Sequence, residues 1–137
     1  MHSVRVPLVL AVIFLLSACG GSGGDSQSAS LAPGERLYNT HCAACHRKDG
    51  KGLGTTTPSL IGVPVVAGPV DELVGWVLFG QRPAALPKGV FAGVMPQFQW
   101  MSDAEAAEVL TYMRGHFGNT YGAVSVEDVR RVRAARQ

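Results

Sequence analysis

Cys42-Ala43-Ala44-Cys45-His46 places two thiols and an imidazole within five residues. Two cysteines separated by two residues and followed at once by histidine predict covalent attachment of a c-type haem. On a helix, Cys42 and Cys45 would stand three residues apart on one face, where both sulfurs can reach the two vinyl groups along one edge of a porphyrin. His46 would then fall where its imidazole can ligate the iron. A zinc half-site is one competing reading, but it needs two further ligands, and Cys19, His2, His41 and His116 show no paired spacing. A thioredoxin-like dithiol is the other, and it calls for a βαβ frame that this glycine- and proline-punctuated chain does not show.

A haem iron held by one histidine leaves a sixth position, and four methionines are candidates for it. Met1 would leave with the leader described below. Met113 lies on the apolar stripe of a helix, and Met101 directly precedes a helix cap, the place of a hydrophobic staple. Met95 stands in a loop before Pro96, which biases it to an extended backbone able to aim its side chain inward. Met95 is therefore the expected distal ligand, with bis-histidine ligation through His41 or His116 as the alternative. Trp76 and Trp100 could donate to a haem propionate or simply pack. Lys48, Lys51 and Lys88 could ring an exposed haem edge and steer an acidic partner, or form ordinary solvated surface.

The elements that must hold these residues read as helices joined by long loops. Leu31 to Cys45 is predicted as a first helix, with Pro33 near its start and Glu35 in its first turn. Arg47 to Pro69 is dense in glycine and proline and is predicted to be irregular. Val70 to Phe79 reads as a short helix stopped by Gly80, and Gln81 to Gln99 as a second loop. Ser102 with Glu105 forms a capping box before the periodic run Ala106, Val109, Leu110, Met113 and Phe117, and Gly118-Asn119 ends that helix. Ser125 with Asp128 caps a last helix from Val126 to Ala135. At the C-terminus, Arg130, Arg131, Arg133 and Arg136 are crowded into seven residues and are expected to form either a solvated helix face or a docking patch.

Val6 to Ala18 is a 13-residue apolar run behind Arg5, followed by small residues. As a helix it would span about 20 Å against ~30 Å of hydrocarbon core, so an export signal fits better than a transmembrane helix. Leu16-Ser17-Ala18-Cys19 resembles the lipobox of bacterial lipoproteins, which implies that 1–18 is removed and that Cys19 becomes a lipidated N-terminus. An ordinary cleavage or a short uncleaved anchor are the alternatives. Gly20 to Ser30 is glycine- and serine-rich, a flexible tether with a reach of about 17 to 20 Å. The three cysteines are then all assigned, one to lipid and two to haem. A formal net charge of +2 gives no reason to expect nucleic acid as a partner.

Across Pro33 to Asn119 the chain resembles the small class I c-type cytochromes of bacteria. Gly34 to His46 resembles the N-terminal helix of that family, whose glycine and aromatic residue, here Gly34 and Tyr38, meet the C-terminal helix at Val109 and Tyr112. Thr57-Pro58-Ser59-Leu60 resembles the segment whose proline carbonyl accepts the proton of the proximal histidine, which implies that Pro58 orients His46. Val94-Met95-Pro96-Gln97-Phe98 resembles the loop that supplies the axial methionine. The resemblance implies an all-α cytochrome c fold, three to five helices with long loops around one covalently bound haem c, in a domain over 31–119. Residues 120–137 would form a C-terminal extension. The implied function is one-electron transfer at the periplasmic face of a bacterial membrane, tethered by lipid, between a dehydrogenase or respiratory complex and an oxidase or reductase. A haem enzyme or gas sensor with a displaceable distal methionine is a second reading, and a lipoprotein without haem a third.

Overall fold

The computed structural model describes residues 32–86 and 88–136. Their regular structure is helical: α1 (Pro33–His41), α2 (Ala43–His46), α3 (Pro64–Ala67), α4 (Val70–Phe79), α5 (Asp103–Gly115) and α6 (Val126–Ala134). Among the described residues there is no strand, only an isolated antiparallel bridge between Leu53 and Thr57. The fold is all-α, as expected, with six helices rather than three to five. The leader, Cys19 and the tether lie outside the described residues. No described helix is long and apolar enough to cross a membrane.

The helix expected over Leu31 to Cys45 is broken at Cys42, where φ −114° and ψ −36° depart from helical values. Tyr38, Asn39, Thr40, His41 and Cys42 are all weak helix formers, so the run has little intrinsic resistance to a break there. Cys42 N–H still donates to the Tyr38 carbonyl at 2.9 Å, and His46 N–H returns to the Cys42 carbonyl at 2.8 Å. One residue thus closes α1 and opens α2. The loop expected over Arg47 to Pro69 also contains a helical turn: Pro64 occupies the first position of α3, where its missing N–H costs nothing, and Val66 is buried beneath it.

Helix α5 is the spine. Its capping box forms as the sequence predicts, with Ser102 Oγ accepting from Glu105 N–H at 3.3 Å and Glu105 Oε2 accepting from Ser102 N–H at 2.9 Å. Helix α1 crosses α5 at Gly34, where any Cβ would run into the Glu108 carbonyl and stand 2.9 Å from Tyr112 Cβ. The close approach falls at Glu108 and Tyr112, one residue earlier than the expected Val109. Tyr38 seals the crossing, fully buried with its ring 5.4 Å from that of Tyr112. Met101 and Met113 are buried in the core, which also takes in Leu73, Leu78 and Leu110.

Helix α6 packs on α4 and α5 through Val129 and Val132, which belong to the same core. Of the C-terminal arginines, Arg130, Arg131 and Arg136 are exposed, as a solvated face implies, and all four make contacts across the fold. Arg133 bonds Asp103 at 2.7 Å, the Gln99 carbonyl at 3.1 Å and the Met101 carbonyl. Arg131 joins Asp71 at 2.6 Å, Arg130 reaches Asp103 at 3.4 Å, and Arg136 lies over the Phe79 ring at 4.3 Å. The cations that crowd one end of the sequence are distributed in space over the carboxylates of α4 and α5, the Phe79 ring and the carbonyls just before α5.

Candidate functional site

His46 is buried, with 8% of its surface exposed, and its Nδ1 lies 3.0 Å from the Pro58 carbonyl oxygen. A carbonyl can only accept, so Nδ1 carries the proton and the neutral ring keeps its lone pair on Nε2. Burial pushes the imidazole below its usual pKa, and the Pro58 bond opposes that only in part. A neutral ring with a fixed tautomer and a free Nε2 is what a metal requires of histidine.

The Pro58 carbonyl is held in place by a tight loop. Gly52 N–H donates to the His46 carbonyl at 3.0 Å, and Leu53 N–H to the Thr57 carbonyl at 2.9 Å. Gly52 adopts φ +71°, and a Cβ there would strike the Thr57 oxygen and stand 2.5 Å from the Pro58 oxygen. Only glycine lets the chain turn under Pro58 without displacing its carbonyl.

Cys42 is half-buried and Cys45 exposed, both as free thiols. Burial, and next the neighbouring Cys45, pushes the Cys42 thiol up to about 11, so it is protonated at neutral pH. Among the described residues no three His, Cys, Asp or Glu side chains gather as a metal-ion site, so none of these residues completes a zinc tetrahedron around the pair.

Met95 lies in the loop between α4 and α5 and is half-buried against the core, whereas Val94 before it is 92% exposed and Pro96 after it is exposed. That alternation is the pattern of an extended segment turning one side chain inward. The loop is fastened to the segment before Pro58: Ala92 N–H donates to the Thr55 carbonyl at 3.0 Å and Gly93 N–H to the Thr56 carbonyl at 2.9 Å. The structure therefore brings the loops of Pro58 and Met95 together. All five large apolar side chains left exposed among the described residues, Leu53, Ile61, Val90, Val94 and Trp100, belong to these two loops. Two free thiols and a neutral imidazole at α2, with a thioether and an apolar surface in these two loops, suit an iron porphyrin.

The other candidates have different roles. His41 lies edge-on to Trp100 at 5.0 Å, and His116 stacks on Tyr112 at 4.1 Å on the exposed side of α5. Trp76 is half-buried with Arg82 at 5.9 Å over its ring. Lys48, Lys51 and Lys88 are exposed. Two polar side chains prove to be central fasteners, Arg114, which the sequence left without a role, and Asn119, which it marked only as a helix stop. Buried Arg114 donates to the carbonyls of Gly122 at 2.6 Å, Val66 at 2.6 Å and Gly68 at 3.0 Å. Buried Asn119 donates to the carbonyls of Leu60 and Met113.

Residues 29–113, more than half of the chain, match the family described as cytochrome c oxidase, cbb3-type, subunit III. The chain belongs to that cytochrome c family. As a cytochrome c it binds haem c and serves electron transfer. It is 35% identical to a gluconate 2-dehydrogenase cytochrome c subunit of Pantoea cypripedii over 81% of this chain and 25% of that protein. It is 36% identical to the cytochrome c subunit of an alcohol dehydrogenase (quinone) of Gluconobacter oxydans over 73% of this chain and 22% of that one. A fructose dehydrogenase cytochrome subunit of Gluconobacter japonicus is 33% identical over 80% and 24% respectively. The chain thus spans about a quarter of the length of the curated relatives it matches.

Proposed function

We propose that this cytochrome is a lipid-tethered single-electron carrier with one haem c, joined by thioethers from Cys42 and Cys45 and ligated by His46 and Met95. The haem supplies the one-electron Fe(III)/Fe(II) couple, and the chain's residues hold it and tune it. His46 presents Nε2, and the Pro58 carbonyl on Nδ1–H makes that nitrogen a stronger donor. The Met95 thioether, a soft ligand, favours Fe(II) and raises the potential, and by filling the sixth position it keeps small molecules off the iron. The observation that carries this reading is the buried His46 with Nδ1 committed to Pro58, directly after the two free thiols.

Relatives named as cytochrome subunits of gluconate, alcohol and fructose dehydrogenases support a dehydrogenase as electron donor. The family description supports a terminal oxidase or reductase as acceptor. With Cys19 lipidated and a short tether behind it, the domain would work at the periplasmic face of a membrane. The test is haem-stained denaturing electrophoresis of protein made with a cytochrome c maturation system. The wild type and each single cysteine variant should stain, and the double variant Cys42→Ala, Cys45→Ala should not. Stain persisting in the double variant defeats the assignment.

A further inference from the structure

The turn that follows α5, His116 to Asn119, makes contacts beyond those of a mere helix end. Phe117 adopts φ +59°, a left-handed conformation that is an outlier for a bulky side chain and is strained. Its ring lies on Gly50, where a Cβ would stand 2.6 Å from Phe117 Cγ, and packs against Tyr38 at 5.1 Å. Two residues later Asn119 is 4% exposed and uses its whole amide: Oδ1 accepts from Gly62 N–H at 2.9 Å, and Nδ2 donates to the Leu60 carbonyl at 2.9 Å and to the Met113 carbonyl at 3.0 Å. The side chain mimics a peptide neighbour for residues 60–62. Leu60 N–H in turn donates to the Gly50 carbonyl at 2.8 Å. Phe117 and Asn119 therefore grip the same loop at its two ends, Gly50 and Leu60 to Gly62, and the Pro58 carbonyl lies between those grips.

We propose that the His116–Asn119 turn is a latch that positions the axial histidine, with Asn119 as the positioning residue that fixes the Pro58 carbonyl on His46 Nδ1–H. The inference rests on the haem ligation proposed above. Strain at Phe117 is held because the two grips over-determine the turn. An unanchored segment 60–62 would let the Pro58 carbonyl swing, and the imidazole would lose both its fixed orientation and part of its donor strength.

The test uses the haem-loaded protein and its Asn119→Ala variant, with Asn119→Ser as a milder second variant. Thr111→Val is the control, since it removes the Thr111 pair with Val124 (2.9 and 3.1 Å) on the far side of α5 and touches no part of the loop. The readouts are the midpoint potential and the solvent exchange of the His46 Nδ1 proton by NMR. Losing the Asn119 bonds should speed that exchange by roughly ten- to a hundredfold, the equivalent of about 1–3 kcal/mol of lost protection. The potential should rise, because a weaker Pro58 bond makes His46 a poorer donor to Fe(III). Thr111→Val should lower stability and move neither readout. If Asn119→Ala does not load haem, Asn119→Ser decides by the same readouts. An intact haem spectrum with exchange and potential unchanged overturns the latch alone, whereas a wild type without covalent haem overturns the ligation reading.

Discussion

Replacing Gly52 with alanine tests whether the Pro58 carbonyl is held by backbone geometry, because the structure contains its own control. Gly52 and Gly54 both adopt positive φ, +71° and +52°, but a Cβ on Gly52 would strike the Thr57 and Pro58 oxygens whereas a Cβ on Gly54 meets nothing within 4 Å. The left-handed conformation alone costs a side chain about 1–2 kcal/mol. Gly54→Ala should show that loss and no more. At Gly52 the same penalty applies, with about 1–3 kcal/mol for the overlap and about 0.5–1.5 kcal/mol for the weakened bond to His46. The total, about 2.5–6.5 kcal/mol, shifts a urea midpoint by roughly 1.7–4.3 M at a slope near 1.5 kcal/mol/M. Urea titration of the haem-loaded variants by circular dichroism gives the stabilities, and redox titration gives the potentials. Gly52→Ala should also raise the midpoint potential, and Gly54→Ala should not. Equal stability losses with unchanged potentials would refute the role assigned to Gly52.

Met95→Ala should abolish the near-infrared sulfur-to-iron charge-transfer band of the oxidised protein, lower the potential and admit carbon monoxide, while Met101→Ala keeps the band and loses about 2–5 kcal/mol of stability as a buried core residue. Cys19→Ser should move the protein from the membrane fraction to the soluble one with its visible spectrum unchanged, and membrane retention would point to an uncleaved anchor. Arg133→Ala should cost about 1–2 kcal/mol by urea titration, since it leaves Asp103 only its longer pair with Arg130 and frees two loop carbonyls at a site that is partly solvated. Asp128 is held down to about 2 by the Ser125 hydroxyl, then the Ser125 amide and Arg131. Its folded value lies below the ordinary carboxylate range, so the α6 cap stabilises above about pH 4 and is lost as pH falls towards 2. Amide exchange in α6 on acid titration should show that window, and Asp128→Asn should remove it.

What could be read in the sequence was local in origin. Ser102 with Glu105 and Ser125 with Asp128 satisfy each other's backbone donors within three residues, so their capping boxes needed no tertiary knowledge. The expectation for Cys42, Cys45 and His46 came from spacing, and that for Met95 from its having no structural duty elsewhere. Pro58 was legible only through the family resemblance, because its bond to His46 spans a loop of twelve residues that periodicity does not describe. Asn119 looked like a helix stop. Its partners Leu60 and Gly62 lie 59 and 57 positions away, and no local pattern announces an amide that will serve a distant backbone. The partners of the C-terminal arginines were illegible for a related reason: a run of like charge does not announce that the fold sets Asp71, Asp103 and the carbonyls of Gln99 and Met101 opposite it.

An electron carrier must change the charge of its iron with little change in geometry, yet the loops that bear Pro58 and Met95 are mostly irregular. Regular hydrogen bonding cannot make them stiff, so the stiffness has to come from side chains that satisfy loop backbone directly. Four side chains do this from the helical frame. Tyr38 of α1 donates to the Arg47 carbonyl at 2.6 Å, directly after His46. Arg114 of α5 ties α3 to the segment after α5, Asn119 ties residues 60–62 to the end of α5, and Arg133 of α6 ties the run before α5. Each replaces a missing ladder with bonds from a side chain whose own backbone is anchored in, or just beyond, a helix. A loss at any one of them frees loop carbonyls that are otherwise fixed, so variants at these four positions should broaden the haem environment before they unfold the helices. Resonance Raman linewidths compared with far-UV circular dichroism would show that order, and simultaneous loss of both signals would mean that the loops and the helical frame form one cooperative unit.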